Sequence, residues 1–294
     1  MFEGFTERRV AAANGTEIFL RRGGSGPPLL LLHGYPQTHA IWHRIAPALA
    51  RRFTVVCADL RGYGDSAKPA SDPAHAAYSK RAMAQDMVDA MAALGHERFA
   101  VAGHDRGGRV THRMCLDHPE RISRAAVLDI VPTRTVFRAT DQALATGYYH
   151  WFFLIQPEPL PERMIGADPN FYLRKKLGHW SAGKDTGWVA LEAMAEYERC
   201  FSDPATIHAS CEDYRAAATI DLAHDEADLD RKIRCPLLAL WGEKGLMHRH
   251  FDVLATWREK ADGPVEGKAL PCGHFLPEEQ PERTLSELAR FFAV

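Results

Sequence analysis

The sequence predicts an α/β fold: a mainly parallel sheet flanked by helices, with a helical cap inserted between two of its strands. Three observations carry this. A wholly apolar run at residues 29–32 has similar short apolar runs at 53–58, 99–102, 125–128 and 237–241. Several are bounded by turn residues, as strands buried on both faces often are. Helix-like stretches at 39–50, 80–94 and 106–118 lie between them, and alternation at this spacing implies βαβ crossovers. The alternation then stops after Asp129-Ile130-Val131-Pro132 and resumes only at Cys235-Pro236.

The elements follow in chain order. Runs at 8–13 and 17–22 flank Asn14-Gly15, a dipeptide that supplies the left-handed backbone of a tight hairpin turn. A glycine- and proline-rich breaker at 23–28 precedes Leu29-Leu30-Leu31-Leu32, the first buried strand. Residues 134–230 hold aromatics, prolines and helical pattern without a convincing strand, including Tyr148-Tyr149-His150-Trp151-Phe152-Phe153. The expected domains are therefore a core of 1–133 with 231–294, and a helical cap of 134–230. Such a cap would cover the carboxyl ends of the strands, where ligands bind in open α/β sheets. A helix near 281–292 closes the chain.

Composition narrows the function classes. The 294 residues carry 36 Lys+Arg against 38 Asp+Glu, a formal charge of −2. No basic field is present to gather phosphate backbones, so nucleic acid is not an expected partner. Six cysteines are scattered without a CxxC pair, which reads as small buried residues in a reducing compartment. No apolar stretch reaches the ~18 residues of a membrane helix, and the first residues lack a signal-peptide pattern. The expectation is a cytoplasmic protein without a membrane partner. Neither a metal nor an organic cofactor is expected; no phosphate-binding GxGxxG occurs.

The strongest chemical signal is Gly103-His104-Asp105-Arg106-Gly107, which follows an apolar run and opens a helix. It has the G-x-nucleophile-x-G form of a strained strand-to-helix turn that exposes its central side chain. Here that side chain is a carboxylate, already ionised at neutral pH. It suits displacement at an sp³ carbon, followed by hydrolysis of the ester formed. His274, in Gly273-His274-Phe275 just before the final helix, occupies the place of the general base. The acid that orients it is Asp129, at the end of an apolar run, or Glu243, in the turn after 237–241. Asp129 is preferred, because an acid buried at a strand end is costly without a partner. His33-Gly34-Tyr35-Pro36 fills the oxyanion-loop position, where backbone N–H groups, with that of Arg106, would face the developing charge. Asp59-Leu60-Arg61-Gly62-Tyr63-Gly64-Asp65-Ser66 reads as structural.

The order HGYP, DLRGYGDS, GHDRGGR, LDIVPT, GHF resembles the α/β-hydrolase family of epoxide hydrolases and haloalkane dehalogenases. More narrowly, HDRGGR, YHWFF, GADPNFY, CEDYRA and GHFLPEE resemble the fluoroacetate dehalogenases over core and cap alike. The resemblance implies an α/β-hydrolase fold, a small haloacid substrate and a homodimer. It further implies a substrate carboxylate held by Arg106 and Arg109, whose planar forks match it bidentately. By the same resemblance His150, Trp151 and Tyr214 form a halide pocket, and Trp180 is a pocket aromatic. Both arginines are expected to be unpaired until an anion arrives; the alternative is that one pairs with Glu212 or Asp213. Tyr35 stands where many relatives carry Phe.

Two other functions fit the same core. An epoxide hydrolase would use Tyr148 or Tyr149 with Tyr214 as donors to the epoxide oxygen, leaving the arginines without a substrate partner. A non-catalytic ligand-binding protein would have no reason to keep nucleophile, acid and base together.

Overall fold

In the computed structural model, which describes residues 1–293, eight strands form one sheet. They are β1 (Thr6–Ala11), β2 (Glu17–Gly23), β3 (Pro28–Leu32), β4 (Thr54–Ala58), β5 (Phe99–His104), β6 (Ile122–Leu128), β7 (Leu237–Gly242) and β8 (Val265–Leu270). Their spatial order is β1-β2-β4-β3-β5-β6-β7-β8. Only β1–β2 and β2–β4 are antiparallel; the other five pairings are parallel.

The apolar runs are buried because each inner strand that carries one is covered on both faces. Leu30, Leu32, Val56 and Val101 join a core with Met87 and Met114, from the helices Lys80–Ala93 and Arg106–Asp117. Their neighbours Leu29, Leu31, Val55 and Ala102 join a second core with Leu49, Leu288 and Phe291 on the opposite face. Side chains alternate across a strand with period two, so an unbroken apolar run feeds both cores at once.

Two elements differ from the sequence reading. The helix expected over 39–50 is a 3₁₀ turn, His39–Trp42, and a separate short helix, Ala46–Leu49. The strand β8 has no counterpart in the apolar runs. It lies at the sheet edge, where Glu266 and Lys268 alternate with half-buried residues. An edge strand has a solvated side and needs no continuous apolar sequence.

Between β6 and β7 the chain forms eight helices, from Thr133–Arg138 to Ile220–Ala227, and no strand among the described residues. Trp151, Leu177, Tyr197 and Ile207 from this segment share one apolar core with Leu32 and Val101 of the sheet. The helical segment is thus packed down on the sheet through continuous apolar contact. All six cysteines are free thiols, five of them buried. Among the described residues, no helix is long and apolar enough to cross a membrane.

Candidate active site

The carboxyl ends of the parallel strands converge beneath the helical segment. At the end of β5 the chain reverses into helix Arg106–Asp117 across Asp105, whose φ of 47° and ψ of −113° are strained for any residue with a β-carbon. The turn closes so tightly that a Cβ on Gly103 would stand 2.2 Å from the Gly107 carbonyl oxygen. Gly34 is held against the nucleophile itself, since a Cβ there would lie 2.4 Å from Asp105 Cβ. This close approach lets the Tyr35 N–H donate to Asp105 Oδ1 at 2.9 Å. Burial pushes the Asp105 pKa up, but the charges of His274, Arg106 and Arg109 outweigh it and hold the group below its ordinary value. Asp105 is therefore an ionised, nearly buried carboxylate.

His274 sits beyond β8, and its Nδ1–H donates to Asp129 Oδ2 at 2.6 Å. Its other nitrogen, Nε2, lies 3.9 Å from Asp105 Oδ2. Asp129 follows β6 in a left-handed conformation, φ 53°, that turns its carboxylate back over the sheet. The Gly242 N–H at the end of β7 donates to its Oδ1 at 2.9 Å. Glu243 is exposed and makes no contact with His274. Burial lowers the His274 pKa, yet the hydrogen bond and charge of Asp129, with the charge of Asp105, raise it overall. The adjacent His104 is driven by burial down to about 3 and stays neutral; its Nε2–H donates to the His274 carbonyl at 2.8 Å.

The two arginines differ, which corrects the expectation that both stand unpaired. Arg106 is fully buried and gives Nε and Nη2 to the Asp213 carboxylate, at 2.8 and 2.6 Å. Only its Nη1 is left without a partner. Arg109 has no carboxylate partner among the described residues. Its Nη1 donates to the Val131 carbonyl and to Thr133 Oγ1, at 3.1 and 3.0 Å, and its buried Nε has no acceptor. Its guanidinium lies 4.5 Å from the centre of the Trp151 ring, as that of Arg106 lies 4.2 Å from the Tyr214 ring.

Aromatic side chains of the helical segment gather over this floor. Tyr214 lies 5.4 Å from His150 and 6.2 Å from Trp151, ring centre to ring centre. Trp180 bridges His150 at 4.4 Å and His274 at 5.6 Å. Tyr35 stacks parallel to His150 at 6.1 Å and meets Tyr214 edge-on at 5.2 Å. The Tyr214 and Tyr35 hydroxyls, the Trp180 indole N–H and His150 Nδ1 are buried without a hydrogen-bond partner. Burial first, then the charge of Lys176, holds the His150 pKa far below its ordinary value, so the ring is neutral and one nitrogen carries a proton to donate. So many idle polar atoms in one place are costly unless a polar ligand visits.

The family model described as the alpha/beta hydrolase fold matches residues 27–281. The chain belongs to the α/β hydrolases. A fluoroacetate dehalogenase from Burkholderia sp is 48% identical, over 100% of this chain and 95% of that protein. A soluble epoxide hydrolase from Corynebacterium sp. (strain C12) is 34% identical, over 96% of each. A crystal structure of a Nostoc sp PCC 7120 protein, described there as an α/β hydrolase, superposes with a TM-score of 0.97 at 60% identity. It covers 99% of both chains.

Of the residues around this α/β hydrolase's site, the sequence reading named Asp213 only as an alternative partner for one arginine, and it missed Lys80, Asp221 and Lys176. Asp213 binds Lys80 as well as Arg106 and accepts from the Tyr63 hydroxyl at 2.6 Å, so the loop taken as structural anchors the site floor. Lys80 also reaches Asp221 Oδ2 at 3.2 Å. The cations are spread over residues 80–109 and the acids over 213–221, and only the fold brings them together. Lys176 is buried with Nζ 3.4 Å from the centre of the Tyr149 ring and without a hydrogen-bond partner. His39 and His43, at a spacing found in metal sites, spend ring nitrogens on Asp59 and on the Ala40 carbonyl.

Proposed function

We propose that the protein hydrolyses small 2-haloacids, foremost fluoroacetate to glycolate and fluoride, through an ester on Asp105. The observation that carries this reading is Arg109, a buried guanidinium with no carboxylate partner among the described residues, one helical turn from the nucleophile. A desolvated cation without a counter-ion is unfavourable, and a substrate carboxylate supplies the missing charge. The 48% identity to the Burkholderia dehalogenase supports the same reading.

The geometry divides the work. With the carboxylate on Arg109 and on the free Nη1 of Arg106, Asp105 Oδ2 attacks the α-carbon and the halide leaves with the bonding pair. His150, Trp151 and Tyr214 donate to the departing anion, and Trp180 walls the pocket. His274 Nε2 then takes a proton from water, whose oxygen attacks the Asp105 carbonyl carbon. Oδ1 becomes the oxyanion and already accepts from the Tyr35 N–H. Collapse expels the ester oxygen, which takes the proton of the added hydroxyl to give the 2-hydroxy acid and return Asp105 to its carboxylate, and His274 gives up its proton to solvent. Net, haloacetate and water become glycolate, halide and a proton. The eight helices between β6 and β7 act in this scheme as the cap that excludes bulk water.

The epoxide alternative is supported by the Corynebacterium relative and shares with the haloacid reading the unpartnered Tyr214 hydroxyl. Halide release from fluoroacetate and chloroacetate, measured beside turnover of styrene oxide on purified protein, separates the two. Halide release is the expected result; epoxide turnover without it would replace the proposal.

A further inference from the structure

A cavity of about 390 Å³ runs from the surface to the catalytic histidine, with exposed Lys184, Lys244 and Arg249 at one end and buried His274 and Asp129 at the other. Lys184, Lys244 and Arg249 each lie more than 4.0 Å from any carboxylate oxygen among the described residues. The Lys184 ammonium is instead pinned by donating to the His179 carbonyl at 2.6 Å. Asp129 is the one carboxylate in the lining, and it is occupied by His274 and the Gly242 N–H. Glu279, close behind this wall, is satisfied by the N–H groups of Ala182, Gly273 and Phe275. In a chain of net charge −2, the lining of this cavity carries three exposed cations against one buried, occupied acid.

The inner wall leads toward Arg109. Tyr148 lines the cavity, and its ring stacks on Trp151 at 6.0 Å. Trp151 in turn carries the Arg109 guanidinium on its face. The stacked Tyr148–Trp151 pair thus links the cavity wall to the partnerless arginine.

We propose that this cavity is an anion-gathering vestibule: Lys184, Lys244 and Arg249 draw the carboxylate of the substrate out of solvent and pass it past Tyr148 to Arg109. The inference rests on the haloacid reading and extends it, since it assigns charge selection to residues outside the reacting centre. A concave site lined by one sign of charge focuses the field and raises the local concentration of the opposite ion. At the mouth the charges are solvated, so each contributes modestly and salt weakens them.

The test compares chloroacetate kinetics of wild type, Lys244→Glu, Arg249→Glu and the double variant. Lys244→Gln and Arg249→Gln serve as milder versions in case the reversals disturb folding. Arg51→Glu is the control. It makes the same charge change at an exposed position just before β4, at the opposite end of the parallel strands from the site. Each vestibule reversal is expected to raise KM roughly three- to ten-fold with kcat changed less than about two-fold. The glutamine variants shift KM about half as far on a logarithmic scale, high salt narrows every difference, and Arg51→Glu moves neither parameter. A double variant with wild-type KM, or an equal shift in Arg51→Glu, overturns the proposal. Should wild type release no halide, the functional reading falls separately. The vestibule is then judged by saturation-transfer NMR of acetate. An acetate signal that disappears in the double variant and persists in Arg51→Glu supports it; equal signals in all three proteins overturn it.

Discussion

Replacing Arg106 and Arg109 one at a time, each by Met, should separate two roles, because Arg106 holds the fold as well as offering one nitrogen to substrate, whereas Arg109 only awaits substrate. Arg106 and Asp213 are both fully buried, joined by two hydrogen bonds at 2.8 and 2.6 Å. Removing one member of such a pair leaves a desolvated charge and costs about 3–5 kcal/mol. Lys80 remains on Asp213, so the lower end of that range applies to Arg106→Met. At about 2–4 °C per kcal/mol for a chain of this size, the melting temperature should fall by roughly 6–12 °C. Arg109→Met deletes a cation with no carboxylate partner among the described residues and only two hydrogen bonds, to Val131 and Thr133. Its stability should change by less than about 1 kcal/mol, since the loss of those bonds is offset by relief of desolvation. Its kcat/KM for chloroacetate should drop by roughly 30- to 1,000-fold, the effect of removing about 2–4 kcal/mol of charge-assisted hydrogen bonding. Differential scanning calorimetry and halide-release kinetics on both variants provide the readout. Unchanged haloacid kinetics in Arg109→Met would refute the carboxylate assignment. A melting temperature untouched in Arg106→Met would refute the structural role given to the Asp213 pair.

His274→Asn should still form the ester but fail to hydrolyse it; intact-protein mass spectrometry after fluoroacetate should show a gain of about 58 Da on Asp105, and halide released from unmodified protein would contradict the covalent route. Lowering the pH protonates His274 and slows hydrolysis without slowing displacement, so wild-type enzyme quenched at acid pH should carry more ester than at neutral pH; a constant ester fraction would argue against His274 as the base. Trp151→Phe removes one donor to the leaving halide and keeps the ring, so the ratio of fluoroacetate to chloroacetate kcat should fall roughly ten- to thousand-fold; an unmoved ratio would reduce Trp151 to packing. Burial brings the Lys176 pKa down to about 7, whereas an unfolded lysine keeps its proton to about 10.4. Between these values the unfolded chain binds more protons, so wild-type stability rises with pH there. The stability advantage of Lys176→Met should accordingly be largest near pH 6 and shrink toward pH 10; a gap independent of pH would show that Lys176 titrates normally.

The amino-acid sequence by itself determined the local and periodic features of this protein. The leucine and valine runs dictate buried parallel strands, since such runs are stable only when both faces are covered. Gly103, Asp105 and Gly107 specify the strained turn, because steric exclusion at that turn acts over five residues. Chain order places Asp129 after β6 and His274 after the last strand, and the parallel pairings β6–β7 and β7–β8 bring the two together. Tertiary structure alone decided the rest. The partner of Arg106 lies 107 residues away, and no periodicity links a helix of the core to a helix above it. Asp213 takes Arg106 and leaves Arg109 open because Lys80, Tyr63 and Arg106 converge on it from separate elements. The edge strand β8 carries no apolar run, because one side of it faces water. The cationic lining of the cavity is assembled from the segment after Trp180 and the loop after β7, which the sequence keeps about sixty residues apart. Which charges neutralise one another depends on distance and on exclusion from water, and both come into being only when the chain has folded.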